Sequence, residues 1–249
     1  YTDARPHLPR AAVLVHGAVT ECAMSDVTID YRGLKVSGYL SEPDVDLFPQ
    51  ARAGLVVIQE WWGLTDDIRE IADRYATEGY LAFAPDLYHG EVAAEPDEAR
   101  KLVMALERDL AAQEIDTVIA WLKGARGMTK VGCVGYCLGG GLTLATAIRP
   151  TSNVDAVHVY YGGGMPANEQ IATIKVPVLG SYGAEDAGIP KEDVDRLRDT
   201  LAKAGVPSEI TLYEGAGHAF FNEGRPAYRE EQAMDSWMKS TAWFAKYLG

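Results

Sequence analysis

Apolar residues in this chain form short continuous runs, separated by longer stretches with helical spacing. The runs have the length and composition of strands buried in a sheet. They are GLVVIQE from residue 54, YLAFAPDLY from 80, KVGCVGY from 130, DAVHVYYG from 155, VPVLGSYG from 176 and SEITLYEG from 208. Strands that alternate with helices in this way predict an α/β fold with a mostly parallel central sheet.

The stretches between the runs carry apolar residues at the three- and four-residue spacing of one helix face. The first covers Asp66 to Glu78 and is closed by Gly79. The others span residues 96–124, 138–148, 193–204 and 228–248. Because such helices cover both faces of a parallel sheet, we expect a single α/β domain over residues 24–249. At its start, VTIDY and LKVSGYLSEP flank Arg32 and Gly33 and predict an antiparallel hairpin.

Residues 1–23 do not fit this alternation. Their apolar run, AAVLVHGAV, is short and is interrupted by His16 and Gly17, so it is a poor signal peptide. We expect residues 1–23 to be an extension outside the core fold, with the regular pattern beginning after Met24.

Composition and charge argue against several classes of function. The 249 residues are 47% hydrophobic and 24% charged, and the formal net charge is −13. Such an acidic chain is repelled by nucleic acid and by anionic membranes. No apolar run reaches the roughly 18 residues of a membrane-spanning helix. We therefore expect a cytoplasmic monomer or small homo-oligomer that acts on a small molecule.

Three cysteines, Cys22, Cys133 and Cys137, are too few for a disulfide framework in a chain of this length. Cys133 and Cys137 also lack the second cysteine or histidine pair that a zinc site needs. The nearby glycines follow neither the dinucleotide-binding pattern nor the P-loop pattern, so we predict neither a metal nor a cofactor. Cys133 lies inside an apolar run and is interpreted as a small buried hydrophobic residue.

The stretch VGCVGYCLGGGL, residues 131–142, is typical of a strand, a sharp turn and a helix, with Cys137 at the turn. Gly135 and Gly139 flank this cysteine in the G-x-nucleophile-x-G pattern, where strand and helix approach closely. The helix N-terminus favours negative charge, which stabilises a thiolate and the oxyanion that forms when the thiolate attacks a carbonyl. The pattern predicts Cys137 as a nucleophile.

A thiol nucleophile needs a base, and the base needs an orienting acid. His218 lies in the glycine-bearing loop YEGAGHAFFN, whereas His158 lies inside an apolar strand and is interpreted as a hydrogen-bonded core residue. The acid is expected after VPVLGSYG, where Asp186 and Glu185 both qualify, and we prefer Asp186. The resulting order of nucleophile, acid and histidine is that of α/β-hydrolases.

Glu60 ends the buried run GLVVIQE. A carboxylate there is costly without a partner, so it is either a cap or surface group, or it faces Cys137 across a site. In the second case the backbone N–H of Trp61 joins that of Leu138 as an oxyanion donor. Trp61 and Trp62 would then wall the substrate pocket, although core packing alone also explains them.

Five motifs give the chain a resemblance to the dienelactone hydrolase family (carboxymethylenebutenolidases) from about residue 27 to residue 247. They are QEWWGL, EGYLAFAPDLYHG, GYCLGGG, YGAEDAGIP and GAGHAFFN. The resemblance implies an α/β-hydrolase fold with a triad of Cys137, Asp186 and His218. It also implies that Glu60 contacts the cysteine at rest, until substrate displaces the carboxylate and the thiolate forms an acyl-enzyme.

The resemblance is weaker where the family's well-studied members bind the carboxylate of a dienelactone. They carry two arginines, one two residues after the PDLY motif and one four residues after the catalytic histidine. Gly90 and Asn222 stand at these positions in this chain. An arginine that pairs with a carboxylate binds it more strongly than a neutral amide does. Tyr88 and His89 after one strand, and Asn222 and Arg225 after the histidine, are predicted to line the substrate pocket together with Trp62.

We therefore predict a cysteine-dependent hydrolase of small lactones or esters. The two missing arginines favour one alternative, a broad carboxylesterase for neutral short-chain esters. Two other classes stay open. A non-catalytic α/β-hydrolase scaffold that binds a partner would need a broken triad, and a redox sensor would pair Cys133 with Cys137 across an unfavourable strand-end geometry.

Overall fold

The computed structural model describes residues 14–15, 18–19 and 23–249. Strands β1 (Leu14–Val15) and β2 (Ala18–Val19) pair antiparallel in a two-stranded sheet that is separate from the central one. The rest of the predicted extension, including the His16-Gly17 pair and Cys22, lies outside the described residues. That residues 1–23 stand apart from the core fold therefore stays a prediction.

The central sheet in the described part of the chain has eight strands in the order β10-β9-β8-β7-β5-β6-β4-β3. The strands are β3 (Ala23–Tyr31), β4 (Leu34–Glu42), β5 (Gly54–Ile58), β6 (Leu81–Pro85), β7 (Val131–Tyr136), β8 (Ala156–Tyr160), β9 (Val178–Gly183) and β10 (Ser208–Tyr213). Strands β5 to β10 are parallel, whereas β4 pairs antiparallel with both β3 and β6. The predicted α/β class, the mostly parallel sheet and the hairpin at Arg32-Gly33 are confirmed.

The helices of the described residues lie between these strands and after the last one. They are α1 (Asp66–Thr77), α2 (Pro96–Ala105), α3 (Arg108–Gly124), α4 (Leu138–Ile148), α5 (Asn168–Ile171), α6 (Lys191–Lys203) and α7 (Glu230–Leu248). The predicted helices in these regions are confirmed with ends shifted by a few residues, except for the stretch over residues 96–124. The sequence pattern did not indicate the single-turn helix α5.

The continuous helix predicted over residues 96–124 is wrong, because the chain is extended at Leu106 and Glu107 and divides into α2 and α3. The reason lies in two separate packing sites. On α2, Ala99 and Leu102 pack in a small cluster around Trp62, whereas α3 packs its apolar face on the main core. One straight helix cannot reach both, and the apolar spacing continues through the break without marking it.

Helices cover both faces of the sheet, as consecutive residues of β7 show. A Cβ atom on Gly132 would lie 2.8 Å from Phe244 of α7, whereas the Sγ of Cys133 lies 3.6 Å from the Oγ1 of Thr143 on α4. Because neighbouring side chains of a strand point to opposite faces, α7 and α4 belong to different layers. Helix α1 joins the layer of α7, and the Tyr75 hydroxyl lies 2.7 Å from that of Ser240. Helix α3 contacts α4 in the other layer.

The order of the strands places a crevice between β5 and β7. The chain leaves β5 through α1 to reach β6 on one side, and leaves β7 through α4 to reach β8 on the other side. Loops therefore diverge at the carboxyl ends of β5 and β7, where open α/β sheets bind their ligands. Glu60 and Cys137 both follow these strand ends. Within the described residues, no helix has the length and apolarity needed to cross a membrane.

Candidate active site

Cys137 sits in a sharp turn between β7 and α4, with the left-handed φ of 55° and a ψ of −111°. The turn requires glycine on both sides of this cysteine. A Cβ atom on Gly135 would lie 2.1 Å from the carbonyl oxygen of Gly139, and one on Gly139 would lie 2.4 Å from that of Ile58. Left-handed backbone at a non-glycine residue is strained, and the strain persists because the surrounding packing determines it. The geometry is that of the predicted elbow and leaves the thiol half-buried at the crevice.

The structure brings Cys137, His218 and Asp186 together. The Nε2 of His218 lies 3.1 Å from the Sγ of Cys137, and its Nδ1 lies 2.6 Å from the Oδ2 of Asp186. Since a carboxylate only accepts, Nδ1 carries the proton on that side, which directs Nε2 to the sulfur. Glu185, the other candidate acid, is exposed, whereas Asp186 is buried.

Asp186 is held in place by the loop that follows β9. Its Oδ1 accepts a hydrogen bond from the backbone N–H of Gly188 at 2.8 Å, and its side chain is only 1% exposed. Both carboxylate oxygens therefore have donors. A buried carboxylate with satisfied oxygens orients the imidazole and favours its charged form.

The electrostatics of His218 favour an imidazolium beside the sulfur. Burial is the largest single influence and lowers the pKa of His218, but hydrogen bonds and charges at Asp186 and Cys137 together outweigh it and raise this pKa to about 10. An imidazole of this kind holds its proton at neutral pH. The arrangement therefore places a cation 3.1 Å from the sulfur, which is the kind of partner that a reactive cysteine needs.

Glu60 lies at the site, but its hydrogen bonds do not reach Cys137. Its Oε2 accepts from the Nδ2 of Asn222 at 2.8 Å, and its Oε1 accepts from the hydroxyl of Tyr161 at 3.3 Å. Burial raises the pKa of Glu60, and these two hydrogen bonds act in the opposite direction. Glu60 is therefore neither a surface group nor a helix cap. Its hydrogen bonds go to Asn222 and Tyr161, whereas the family resemblance implies a contact with the thiol of Cys137.

The backbone donors predicted for an oxyanion lie on adjoining segments. Leu138 begins α4, so its N–H belongs to the first helical turn, which has no partner within the helix. The start of α4 packs closely against the end of β5: a Cβ atom on Gly139 would lie only 2.5 Å from the carbonyl oxygen of Gln59. Trp61 follows two residues later on the segment that leaves β5. That its N–H serves as an oxyanion donor stays a prediction.

The predicted pocket residues fall into two groups. Trp62 is buried in a small cluster with Trp61, and the guanidinium of Arg225 stacks on the Trp62 ring 3.9 Å from its centroid. Tyr88 is buried too, and burial followed by the charge of Cys137 raises its pKa to about 12. These contacts group Trp62 with Arg225, and the part of Tyr88 in a substrate pocket stays a prediction.

His89 is not brought into contact with the triad. Its Nε2 lies 2.8 Å from the Oε1 of Glu114, and both residues line a cavity of about 180 Å³ that α2 and α3 border. The backbone explains this placement, since His89 has a left-handed φ of 54° that turns the chain after β6. Tyr88 lines this cavity as well, whereas Asn222 is hydrogen-bonded to Glu60 at the crevice.

Tyr161 also contacts the site, although no sequence pattern pointed to it. This buried residue follows β8 with a φ of 35°, donates to Glu60 and meets the ring of His218 edge-on at 5.2 Å between centroids. Its sequence context DAVHVYYG looks like plain strand, so apolarity gave no signal. Its position did carry one, because it is the first residue beyond the carboxyl end of a parallel strand that neighbours β7.

Cys133 and His158 lie within the sheet and away from the crevice. Both are fully buried, and His158 bonds to the hydroxyls of Ser240 at 2.8 Å and Ser181 at 2.9 Å. These are the structural roles predicted for them. Among the described residues, no group of three or more histidine, cysteine or acidic side chains is arranged to hold a metal ion.

Comparison with known proteins identifies the family. The model of the dienelactone hydrolase family matches residues 36–248. The chain belongs to this family. A Salmonella typhimurium protein named "Putative carboxymethylenebutenolidase" is 33% identical and covers 97% of this chain and 94% of its own length. Protein usf of Aquifex pyrophilus is 34% identical and covers 89% of this chain and 98% of its own.

A solved structure agrees with the family assignment. The crystal structure named "Putative Dienelactone Hydrolase" from Klebsiella pneumoniae superposes with a TM-score of 0.78 at 31% identity, over 91% of this chain and 100% of that one. The fold is thus that of the α/β-hydrolases. As a member of the dienelactone hydrolase family, the chain is a hydrolase that acts on ester or lactone bonds.

Proposed function

We propose that this dienelactone hydrolase family member cleaves small lactones and esters through an acyl-enzyme on Cys137. The observation that carries the proposal is the continuous contact from sulfur to carboxylate, with Cys137 Sγ 3.1 Å from His218 Nε2 and His218 Nδ1 2.6 Å from Asp186 Oδ2. These are the distances at which a nucleophile, a base and an orienting acid act as one unit.

Acylation begins with the thiol proton on His218. The sulfur of Cys137 attacks the carbonyl carbon, a C–S bond forms, and the carbonyl π electrons move to the oxygen. The N–H groups of Leu138 and Trp61 stabilise that oxyanion. When it collapses, the ester C–O bond breaks, and the departing alkoxide or enolate takes the proton from His218 Nε2.

Deacylation uses the same groups in reverse. His218, now neutral, takes a proton from water while the water oxygen attacks the thioester carbonyl. The C–S bond then breaks, and the product acid leaves. Cys137 returns as a thiolate beside a protonated His218, so the pair is regenerated. Asp186 stays ionised throughout and holds the imidazole in place, as an orienting acid does in related triads.

Glu60 has a supporting part in this scheme. Its two oxygens are tied to Asn222 and Tyr161, on loops that follow β10 and β8. The carboxylate therefore fixes the backbone at the end of β5 and directs the N–H of the next residue, Trp61, towards the crevice. A backbone donor that is fixed before the reaction stabilises the developing charge without reorganisation.

A second substrate class is favoured by one contact. Asn222 stands where well-studied members carry a carboxylate-binding arginine, and its amide is occupied by Glu60 at 2.8 Å. A neutral short-chain ester needs no cationic partner, so broad carboxylesterase activity is the alternative within the same mechanism. The alternative of a non-catalytic scaffold that binds a partner would need a broken triad. The hydrogen bonds from Cys137 to His218 and from His218 to Asp186 are both present.

The decisive experiment compares kcat/KM for a carboxylated lactone with that for its uncarboxylated counterpart and for p-nitrophenyl acetate. We expect turnover of all three, with the neutral substrates preferred. A preference of more than about 100-fold for the carboxylated lactone would exclude the carboxylesterase alternative, since that ratio equals about 2.7 kcal/mol of charge recognition. Absence of turnover by folded protein on all three would contradict the proposed function.

A further inference from the structure

Two phenylalanines follow His218 in the motif GAGHAFFN, and the proposed mechanism gives them no part. Phe220 is 0% exposed and Phe221 is 4% exposed, although both lie in a loop. Loops usually run over the surface of a protein, because irregular backbone needs hydrogen-bond partners that the interior rarely supplies. Two buried rings directly after the proposed base therefore anchor this part of the loop in the core.

Phe221 packs against the two residues that adjoin the backbone of Cys137. Its ring centroid lies 5.4 Å from that of Tyr136 and 4.9 Å from that of Tyr160. Tyr136 directly precedes Cys137, and the carbonyl oxygen of Tyr160 accepts a hydrogen bond from the Cys137 N–H at 3.1 Å. The two tyrosine rings stack with their centroids 4.6 Å apart. The loop of the proposed base thus packs directly on the turn of the proposed nucleophile.

Residues of α1 and α7 also contact the Phe221 ring. The guanidinium carbon of Arg74, on α1, lies 5.5 Å from the centroid of Phe221 and 4.2 Å from that of Trp237, on α7. The rings of Phe221 and Trp237 are 6.4 Å apart. Arg74 also pairs with Glu223 of the same loop at 3.7 Å. Four segments of the chain therefore enclose this one ring, and close-packed interiors leave such a group little freedom to shift.

The turn that carries His218 depends on packing of this kind. Ala219 has a left-handed φ of 59°, and its carbonyl oxygen accepts a hydrogen bond from the Asn222 N–H at 3.1 Å. Left-handed backbone at a non-glycine residue is strained and persists only where the surroundings determine it. Asp186 fixes one side of the imidazole from the loop after β9. Phe221, in contrast, ties the backbone of the turn to the strand that ends at the nucleophile.

We propose that Phe221 is a positioning residue that holds His218 within reach of both Asp186 and Cys137. The inference rests on the proposed triad and adds a residue that touches neither the substrate nor the reacting atoms. A displacement of a catalytic group by about 1 Å can lower the rate by about 100-fold, because proton transfer needs a defined geometry. Loss of the Phe221 ring should therefore reduce kcat and leave KM little changed.

Steady-state kinetics of Phe221→Leu with p-nitrophenyl acetate measures this effect. We expect kcat to fall by at least about 30-fold and KM to stay within about threefold. Phe244→Leu is the matched control, since Phe244 is buried too and packs edge-on against Tyr75 at 6.0 Å and Tyr80 at 6.4 Å. It should shift the urea midpoint by a similar amount and keep kcat within about threefold. Equal losses of kcat in the two variants would overturn the inference, as would a Phe221→Leu variant that raises only KM.

Arg74→Met keeps the inference testable if Phe221→Leu does not fold. Methionine retains an apolar stem but removes the guanidinium that lies over the Phe221 ring. We expect a smaller loss of kcat in the same direction, about three- to tenfold. Arg69→Met is the matched control on the same helix, since its guanidinium carbon lies 4.9 Å from the ring centroid of Tyr39. It should keep kcat within about twofold, and an equal kcat in the two arginine variants would contradict the inference.

A spectroscopic signal separates positioning from a general loss of stability. The Nδ1 proton that His218 donates to Asp186 should give a low-field proton NMR signal, assigned by its loss in His218→Gln. We expect it to be sharp in the parent protein and in Phe244→Leu, and to broaden through faster exchange with water in Phe221→Leu. An unchanged signal in Phe221→Leu would overturn the inference whatever the activity, and so would a folded parent protein without the signal. Because the signal needs no ester, absence of turnover by the parent would contradict only the proposed function.

Discussion

The interior of the sheet and its carboxyl edge contain the same two reactive residue types in opposite conditions. Cys133 and His158 lie on β7 and β8 and are fully buried, whereas Cys137 and His218 lie in loops at the edge. Cys133 and Cys137 are four residues apart in one stretch of chain. The difference between them is therefore a difference of position in the fold.

Burial without charged partners makes the interior pair inert. Burial raises the pKa of Cys133 to about 12 and lowers the pKa of His158 well below its usual value, so both stay neutral. At the edge, Asp186 and the sulfur raise the pKa of His218 despite burial. A buried group becomes reactive here only where a second group stabilises its charged form.

The largest difference is expected between the two cysteines. Cys137→Ala should lower kcat/KM for p-nitrophenyl acetate by at least about 10⁴-fold, since removal of a triad nucleophile leaves only binding and the oxyanion donors. Cys133→Ala, the matched interior change, should keep kcat/KM within about threefold. Steady-state kinetics on both variants tests this. Comparable losses in the two would show that the edge position confers no special role.

The acid of the proposed triad should have the next largest effect. Asp186→Asn keeps the shape but removes the charge that orients His218, and we expect kcat to fall by about 10² to 10⁴-fold. Glu185→Gln changes the exposed neighbouring carboxylate and should leave kcat within about twofold. If the Glu185 variant lost more activity than the Asp186 variant, the assignment of the acid would be reversed.

Stability should respond in the opposite sense from activity. His158→Leu removes the partner of two buried hydroxyls, those of Ser181 and Ser240, and should lower the free energy of unfolding by about 2–3 kcal/mol. Cys137→Ser keeps the size of a half-buried side chain and a hydrogen bond to His218, so it should cost less than about 1 kcal/mol. Urea unfolding followed by tryptophan fluorescence measures both. An equal cost at the two positions would remove the distinction between interior and edge.

The smallest expected effect is in the pH dependence of stability. Because the pKa of His158 is lowered in the folded state, its neutral form is retained there while the unfolded chain takes up a proton below about pH 6.5. The unfolded state then binds more protons, so stability falls as the pH falls. Between pH 7 and pH 5.5 the parent should lose about 1 kcal/mol more than His158→Gln does.

The stability contributed by His218 depends on pH in the opposite direction from that of His158. Its raised pKa contributes stability that is fully present below about pH 6.5 and is lost as the pH rises through about 10. Since His218 is present in both proteins, its contribution cancels when the parent is compared with His158→Gln. If the parent lost no more stability in acid than His158→Gln, His158 would not be neutral in the fold.

Much of the fold and of the site follows from local pattern. The glycines around Cys137, the loop position of His218 and the charges after β9 each indicate a role without any knowledge of neighbours. The division of residues 96–124 at Leu106 does not follow in this way, because its cause is the Trp62 cluster that α2 packs against. His89 shows the same limit, since its partner Glu114 lies on a helix 25 residues further along.

The amino-acid sequence by itself determined the α/β alternation and the elbow at Cys137, because each depends on residues that are neighbours in the chain. It also gave the chain order of Cys137, Asp186 and His218, since each of the three ends or follows a strand that its own local pattern predicts. Only the tertiary structure decided what Glu60 contacts. That contact joins residues 162 positions apart, Glu60 and Asn222, and adds Tyr161 from a third segment. Such partners are chosen by the way strands and loops pack in space, and local sequence patterns carry no record of that packing.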